Sequence, residues 1–163
     1  MRTPALILSL LFVFASSCEK WSVDGKLVHD MKFADELRSS PTTISLVTNS
    51  FIGSASLWRD FMPGPKQNEN GSPLYSVVKA IEIDTAIIEN GIILVRQYVI
   101  KDNEIWEPTF RTDASTQYYL SNSSSDGPRW GPNEIVDVVI ELKDSSGIVH
   151  RLLIPSQEIF ATQ

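Results

Sequence analysis

Glu134-Ile135-Val136-Asp137-Val138-Val139-Ile140-Glu141-Leu142, then Asp144-Ser145-Ser146-Gly147, then Ile148-Val149-His150-Arg151-Leu152-Leu153-Ile154: this stretch decides the fold class. Val136, Val138, Ile140 and Leu142 alternate with Ile135, Asp137, Val139 and Glu141. A period of two over nine residues predicts a strand. The Asp-Ser-Ser-Gly run predicts a tight turn, and the return run predicts a second strand. A slip of one residue would turn an apolar row toward water, so the register of this hairpin is well specified.

Working back along the chain, the same signals recur. Leu74–Ile83 predicts a strand with Val77, Ile81 and Ile83 on one face and Val78 and Ala80 on the other. Asn90-Gly91 marks a turn before a strand over Ile92–Ile100, and Lys101-Asp102-Asn103 marks the turn into a short strand, Glu104–Glu107, ended by Pro108. Trp106 in that strand reads as core or cross-strand packing. Thr42–Thr48 and Gly53–Asp60 predict two further strands, with Ile44 and Leu46, and Ala55 and Leu57, on their apolar faces. Phe61–Pro73 and Ser121–Pro132 are rich in Gly, Pro and polar residues and read as loops. Thr116–Leu120 has strand composition, and Gln157–Gln163 predicts an edge segment through Ile159 and Phe160. No helix is predicted after Pro41.

The sum is about seven to nine short strands with turn signals every 8–12 residues or so, the pattern of an all-β, antiparallel β-sandwich; a small β-barrel is the alternative. The strand Ile93–Ile100 with Tyr98 and the hairpin Glu134–Ile154 loosely resemble immunoglobulin-like and fibronectin type III-like sandwiches. The inter-sheet disulfide of antibody domains and the tyrosine corner are absent from the pattern. A sandwich implies little about chemistry.

The N-terminus carries the address. Met1 and Arg2 precede an apolar run, Ala5–Ala15, interrupted by Ser9. A membrane span needs about 20 apolar residues, so this run is too short to be one and fits a signal segment. The four residues Ala15-Ser16-Ser17-Cys18 resemble the box that ends a bacterial lipoprotein signal, although the family prefers a branched aliphatic residue where Ala15 stands. The resemblance implies cleavage after Ser17, acyl chains on Cys18, and a module tethered to the cell envelope, at the outer membrane in a two-membrane cell. Ala15-x-Ser17 also suits ordinary signal peptidase, which would leave a secreted or periplasmic protein, and an uncleaved N-terminal anchor is the third reading. Cys18 is the chain's one cysteine, so no internal disulfide is available. The chain therefore divides into a signal (1–17), a tether (18–41) and a β-domain (42–163). Leu27, Met31, Ala34 and Leu37 stand near helical spacing within the tether, which reads equally as a short helix ended by Ser39-Ser40-Pro41 or as an irregular spacer.

The 163 residues carry a net charge of −6, with no Lys/Arg cluster. This excludes nucleic acid as an expected partner and leaves membrane attachment to acyl chains. Catalytic signatures are missing from the pattern. His29 and His150 have no metal-ligand spacing, and there is neither a G-x-S-x-G elbow nor a phosphate-cradling loop. No cofactor and no metal are expected, and the chain is read as a non-enzyme. The distinctive residues are Trp58-Arg59-Asp60-Phe61 and Arg129-Trp130. Aromatics supply apolar area and arginine a directed donor fork, so Trp58, Arg59, Phe61, Arg129 and Trp130 form the candidate binding surface. Against that stands burial of the same groups as anchors at one end of the domain. The functional expectation is a membrane-tethered, non-catalytic envelope module that binds a protein partner or assists assembly. The alternative is a glycan- or peptidoglycan-binding module in which Trp58 and Trp130 converge, and a hydrolase using a carboxylate pair ranks third.

Overall fold

The computed structural model describes residues 25–62, 70–84, 86–109, 111–112 and 115–162. Cys18 and the signal segment lie outside them. Among the described residues ten strands and one helix run in the order β1 (Lys26–His29), α1 (Met31–Arg38), β2 (Thr43–Leu46), β3 (Asn49–Asp60), β4 (Leu74–Glu82), β5 (Ile93–Lys101), β6 (Glu104–Glu107), β7 (Arg111–Thr112), β8 (Tyr119–Gly127), β9 (Ile135–Lys143) and β10 (Val149–Thr162). All-β is therefore correct, and β2, β4, β5, β6 and β9 lie close to the predicted positions.

The sheet differs from the expected antiparallel arrangement. It is one mixed, curled sheet in the order β1-β6-β5-β9-β10-β3-β4-β8-β7, with β2 also on β3. The long strand β10 makes this possible. Its first part pairs antiparallel with β9, and its register shifts between Ile154 and Gln157. Its last part, Ile159–Thr162, then runs parallel to Leu57–Asp60 of β3. The C-terminal segment predicted at an edge is thus the seam in the middle of the sheet. Ser156 takes a left-handed backbone (φ 55°) at the shift, and its N–H donates to the Asp137 carboxylate at 3.0 Å. A bulge of this kind bends a strand enough to pass from one half of a sheet to the other.

Strands from both halves of the curled sheet share one core. Phe51, Leu57, Leu74, Val78 and Ala80 meet Val99, Trp106, Val138, Ile140, Leu142, Leu152 and Ile159 there. A buried hydrogen bond spans the same core, from Gln97 Nε2 on β5 to Ser76 Oγ on β4 at 2.9 Å. These strands are not sheet neighbours, so the bond joins the halves directly.

The tether assignment also changes. β1 pairs with β6 through Leu27–Trp106 and Val28–Ile105, and α1 packs on the outer face of β5, β6 and β9. Asp30 caps α1 by accepting the Phe33 N–H at 3.0 Å. Ala34 and Leu37, three apart on one helical face, are fully buried against Tyr98, Ile100, Ile105 and Val139. Leu27 and Met31 point outward instead. The fold thus takes in Lys26–Arg38 rather than beginning at Thr42. It also explains the apolar content of β9 on both faces: Val138, Ile140 and Leu142 face the main core, while Val139 lies under the helix.

Ser121–Gly127, predicted as loop, is strand. β8 pairs with β4 along one edge and, at Asn122 and Ser123, with β7 along the other. Its inward positions are Asn122 and Ser124, both buried, and Ser124 Oγ donates to the Thr109 carbonyl at 3.0 Å. Backbone pairing on both sides holds a strand whose side chains carry no hydrophobic alternation.

Candidate binding surface

The predicted site residues divide between two faces. β3 alternates, so Leu57 and Arg59 point into the fold while Trp58 points out. Arg59 is 4% exposed. Its guanidinium donates to the carbonyls of Ser72 (2.9 Å), Arg129 (3.1 Å) and Gly131 (2.8 Å), and to that of Asn70. The Phe61 ring lies under it, 4.9 Å from Cζ to the ring centre. Arg129 donates to the carbonyls of Asn70 and Gly71. Burial first, and then the neighbouring Arg129 charge, push the Arg59 guanidinium down from its ordinary value. Five planar donors fit this work: one side chain reaches four carbonyls on two loops.

Arg59, Phe61 and Arg129 therefore do converge, but as a latch that ties residues 70–72 and 129–131 to the end of β3. Gly71 belongs to this latch. It has a left-handed backbone (φ 67°), and a Cβ there would fall 2.7 Å from the Phe61 ring. Trp130 is 8% exposed and part of the main core, with its indole N–H donating to Glu104 at 2.9 Å. The expected platform of Trp58 with Trp130 does not form, because one points out and the other is core.

Trp58 has different neighbours, which the sequence reading passed over. It stacks on Tyr75, with ring centres 5.6 Å apart and planes 10° apart. Trp58 is the register partner of Tyr75 on β4 and of Phe160 on β10. Phe160, Trp58 and Tyr75 thus form an aromatic row across three strands on the outer face, and Phe160 is 56% exposed. The period-two pattern of β3 and β4 held half of this signal; the parallel pairing that adds Phe160 has no local signature. Beside the row lies a groove of about 350 Å³ lined by Trp58, Tyr75, Val77, Ser123 and Ser125. Ser54 and Ser56 continue the hydroxyl-rich surface along β3.

The face that carries α1 ends in an ionic network. Glu141, almost fully buried, accepts from Arg151 Nε (3.0 Å) and pairs with Arg96 (3.4 Å). Arg96 also pairs with Glu107 (3.0 Å), and Arg151 with Glu36 of α1 (2.6 Å). The Tyr98 hydroxyl bond first, then the Glu141 and Glu107 carboxylates, raise Arg96, while the Glu36 bond leads in raising Arg151. Burial is the main cause that pushes the Tyr98 phenol up. Each carboxylate here holds an arginine, so the network docks α1 on the sheet. Among the described residues no group of three or more His, Cys, Asp or Glu side chains is placed to hold a metal ion, and no helix is long and apolar enough to cross a membrane.

Comparison with protein-family models, curated proteins and solved structures finds no match to this chain.

Proposed function

We propose that this chain is an exported, lipid-anchored, non-catalytic module that binds a protein partner through the outer face of β3, β4 and the end of β10. The observation that carries this reading is the Phe160–Trp58–Tyr75 row. Aromatic side chains bury much area at little entropic cost and are enriched where proteins meet. Here they sit on a sheet face otherwise made of serines, partly exposed apolar residues and Lys79, whose ammonium lies over the Tyr119 ring. Lipid on Cys18 would hold the module at the envelope surface, and β1 begins only a few residues later. We take the two halves of the curled sheet as a sandwich-like pair, a reading supported by the Gln97–Ser76 bond across the core.

The test immobilises the full chain and a Trp58→Ser/Phe160→Ser variant and exposes both to envelope extract. A discrete partner retained by the native surface and reduced at least tenfold by the variant is expected. Equal recovery, or no partner at all, refutes the reading.

A second reading is favoured by the groove beside Tyr75. An aromatic wall next to Ser123 and Ser125 hydroxyls suits a sugar ring, which has one apolar face and a hydroxylated rim. Titration with envelope polysaccharides, followed by tryptophan fluorescence, tests it. No response across the series removes it.

A further inference from the structure

Trp58 and Tyr75 stack into one ridge on the outer face, with ring planes 10° apart. Neither polar group of the ridge is spent within the fold: among the described residues the Trp58 indole N–H and the Tyr75 hydroxyl make no hydrogen bond. One flank of the ridge faces Phe160 of β10, which is 56% exposed. The other flank is the groove of about 350 Å³ lined by Val77 of β4 and by Ser123 and Ser125 of β8. A bulge sets Tyr75 opposite two residues of β8 there, Ser125 and Asp126. Strands stand about 4.8 Å apart, so the Phe160–Trp58 flank and the Tyr75–Ser125 groove lie about 10 Å apart across the sheet. Among the described residues the groove has no charged lining. Lys79, the next outward position on β4, turns to the Tyr119 ring.

We infer, resting on the protein-partner reading, that the partner segment seated on this ridge is proline-rich and in the polyproline II conformation. Such a segment rises about 3.1 Å per residue with three residues per turn, so residues i and i+3 stand about 9 Å apart on one side. That spacing matches the two flanks, with one proline ring on each. Its carbonyls are not bonded to its own N–H groups, so they are open to the Trp58 and Tyr75 donors. A helix keeps its carbonyls for its own N–H groups. An added strand needs a free sheet edge, and β3 and β4 have neighbours on both sides at this position. Proline rings bring apolar surface without charge, in keeping with the uncharged groove, and the preset conformation limits the entropy lost on docking. A single sugar ring fills one flank and leaves the other unused.

The experiment titrates the ¹⁵N-labelled full chain with acetylated, amidated nona-proline and reads the Trp58 indole N–H signal, assigned by through-bond connectivity. A Gly-Ser peptide of the same length and methyl β-glucoside are the comparison ligands. Nona-proline is expected to shift the signal saturably, and the other two are not. Trp58→Phe keeps a ring on Tyr75 and removes the donor; its titration is followed through the backbone amides of β4. Phe160→Ser changes an exposed position and removes one flank. Each variant is expected to weaken the affinity about fivefold. No saturable shift with nona-proline, an equal shift with either comparison ligand, or unchanged affinity in either variant would overturn the assignment. Retention of an envelope protein by the native face while nona-proline fails to bind removes the proline-rich segment and leaves the protein-partner reading standing.

Discussion

Replacing Arg59 with Met tests whether the arginine is a latch or a binding group. Met keeps the aliphatic stem against Phe61 and removes the donor fork. Four carbonyls then lose the Arg59 donor, those of Ser72, Arg129, Gly131 and Asn70, and Asn70 alone keeps its bond from Arg129. A hydrogen bond from a charged donor contributes about 1.5–3 kcal/mol net. The four do not add, because the Asn70 carbonyl keeps Arg129 as a donor, and because removing a buried guanidinium also removes its desolvation cost. We expect a loss of about 3–4 kcal/mol. At about 2–4 °C per kcal/mol for a domain of this size, the melting temperature should fall by about 10 °C. Urea unfolding should move its midpoint with no change of slope, because the surface exposed on unfolding is the same. Arg59→Lys should fall between the two proteins, since an ammonium group cannot span both loops. A loss below about 1 kcal/mol for Arg59→Met, or native stability for Arg59→Lys, would refute the latch and return Arg59 to the binding surface.

Other outcomes follow from the packing and the charges. Gly53→Ala should cost about 1–3 kcal/mol in urea unfolding, because a Cβ there would fall 2.2 Å from Ile154 Cγ1 inside the core. The Asp144 carboxyl is held well below the usual carboxylate range, chiefly by the Ser146 hydroxyl and then by His150. A carboxyl depressed in the folded state adds stability above its unfolded value, near 4, and loses it as pH falls toward the folded one. The urea midpoint of the native chain should therefore drop more steeply than that of Asp144→Asn below about pH 4. Burial raises the Tyr98 phenol, so the unfolded chain loses that proton first and stability should decline as pH climbs above about 10; Tyr98→Phe should flatten the decline. Cys18→Ser should release the protein from the membrane fraction if the residue is acylated, and unchanged partitioning would leave plain secretion or an uncleaved anchor.

The all-β class was legible wherever burial imposed alternation. The hairpin of β9 and β10, the short strand β6 around Trp106, and the inward faces of β2 and β3 all stood in the pattern of their side chains. Three features were not legible, for physical reasons. β8 is strand through backbone pairing on both sides, and a run of Ser and Asn carries no period to read. The parallel seam of β10 on β3 joins residues about a hundred positions apart, and nothing local records it. α1 buries two residues, too short an apolar stripe to separate a docked helix from a spacer.

The site was half legible for a related reason. Aromatic and arginine content drew attention to residues 58–61 and 129–130, but composition does not say which way a side chain points. One step of strand alternation separates Trp58, which faces out, from Arg59, which is spent on carbonyls within the fold. The partners of Trp58, namely Tyr75 and Phe160, come from two other strands.

The central claim is that the outer face of β3, β4 and β10 is where this module meets its partner. It is tested most directly by placing a photo-cross-linking residue at Ser56, on that face beside Trp58, and at Ser145 in the distant hairpin turn, then irradiating intact envelopes. The account predicts a discrete adduct from Ser56 that disappears with Trp58→Ser/Phe160→Ser, and no such adduct from Ser145. The same adduct from both positions, or none from Ser56, would contradict it.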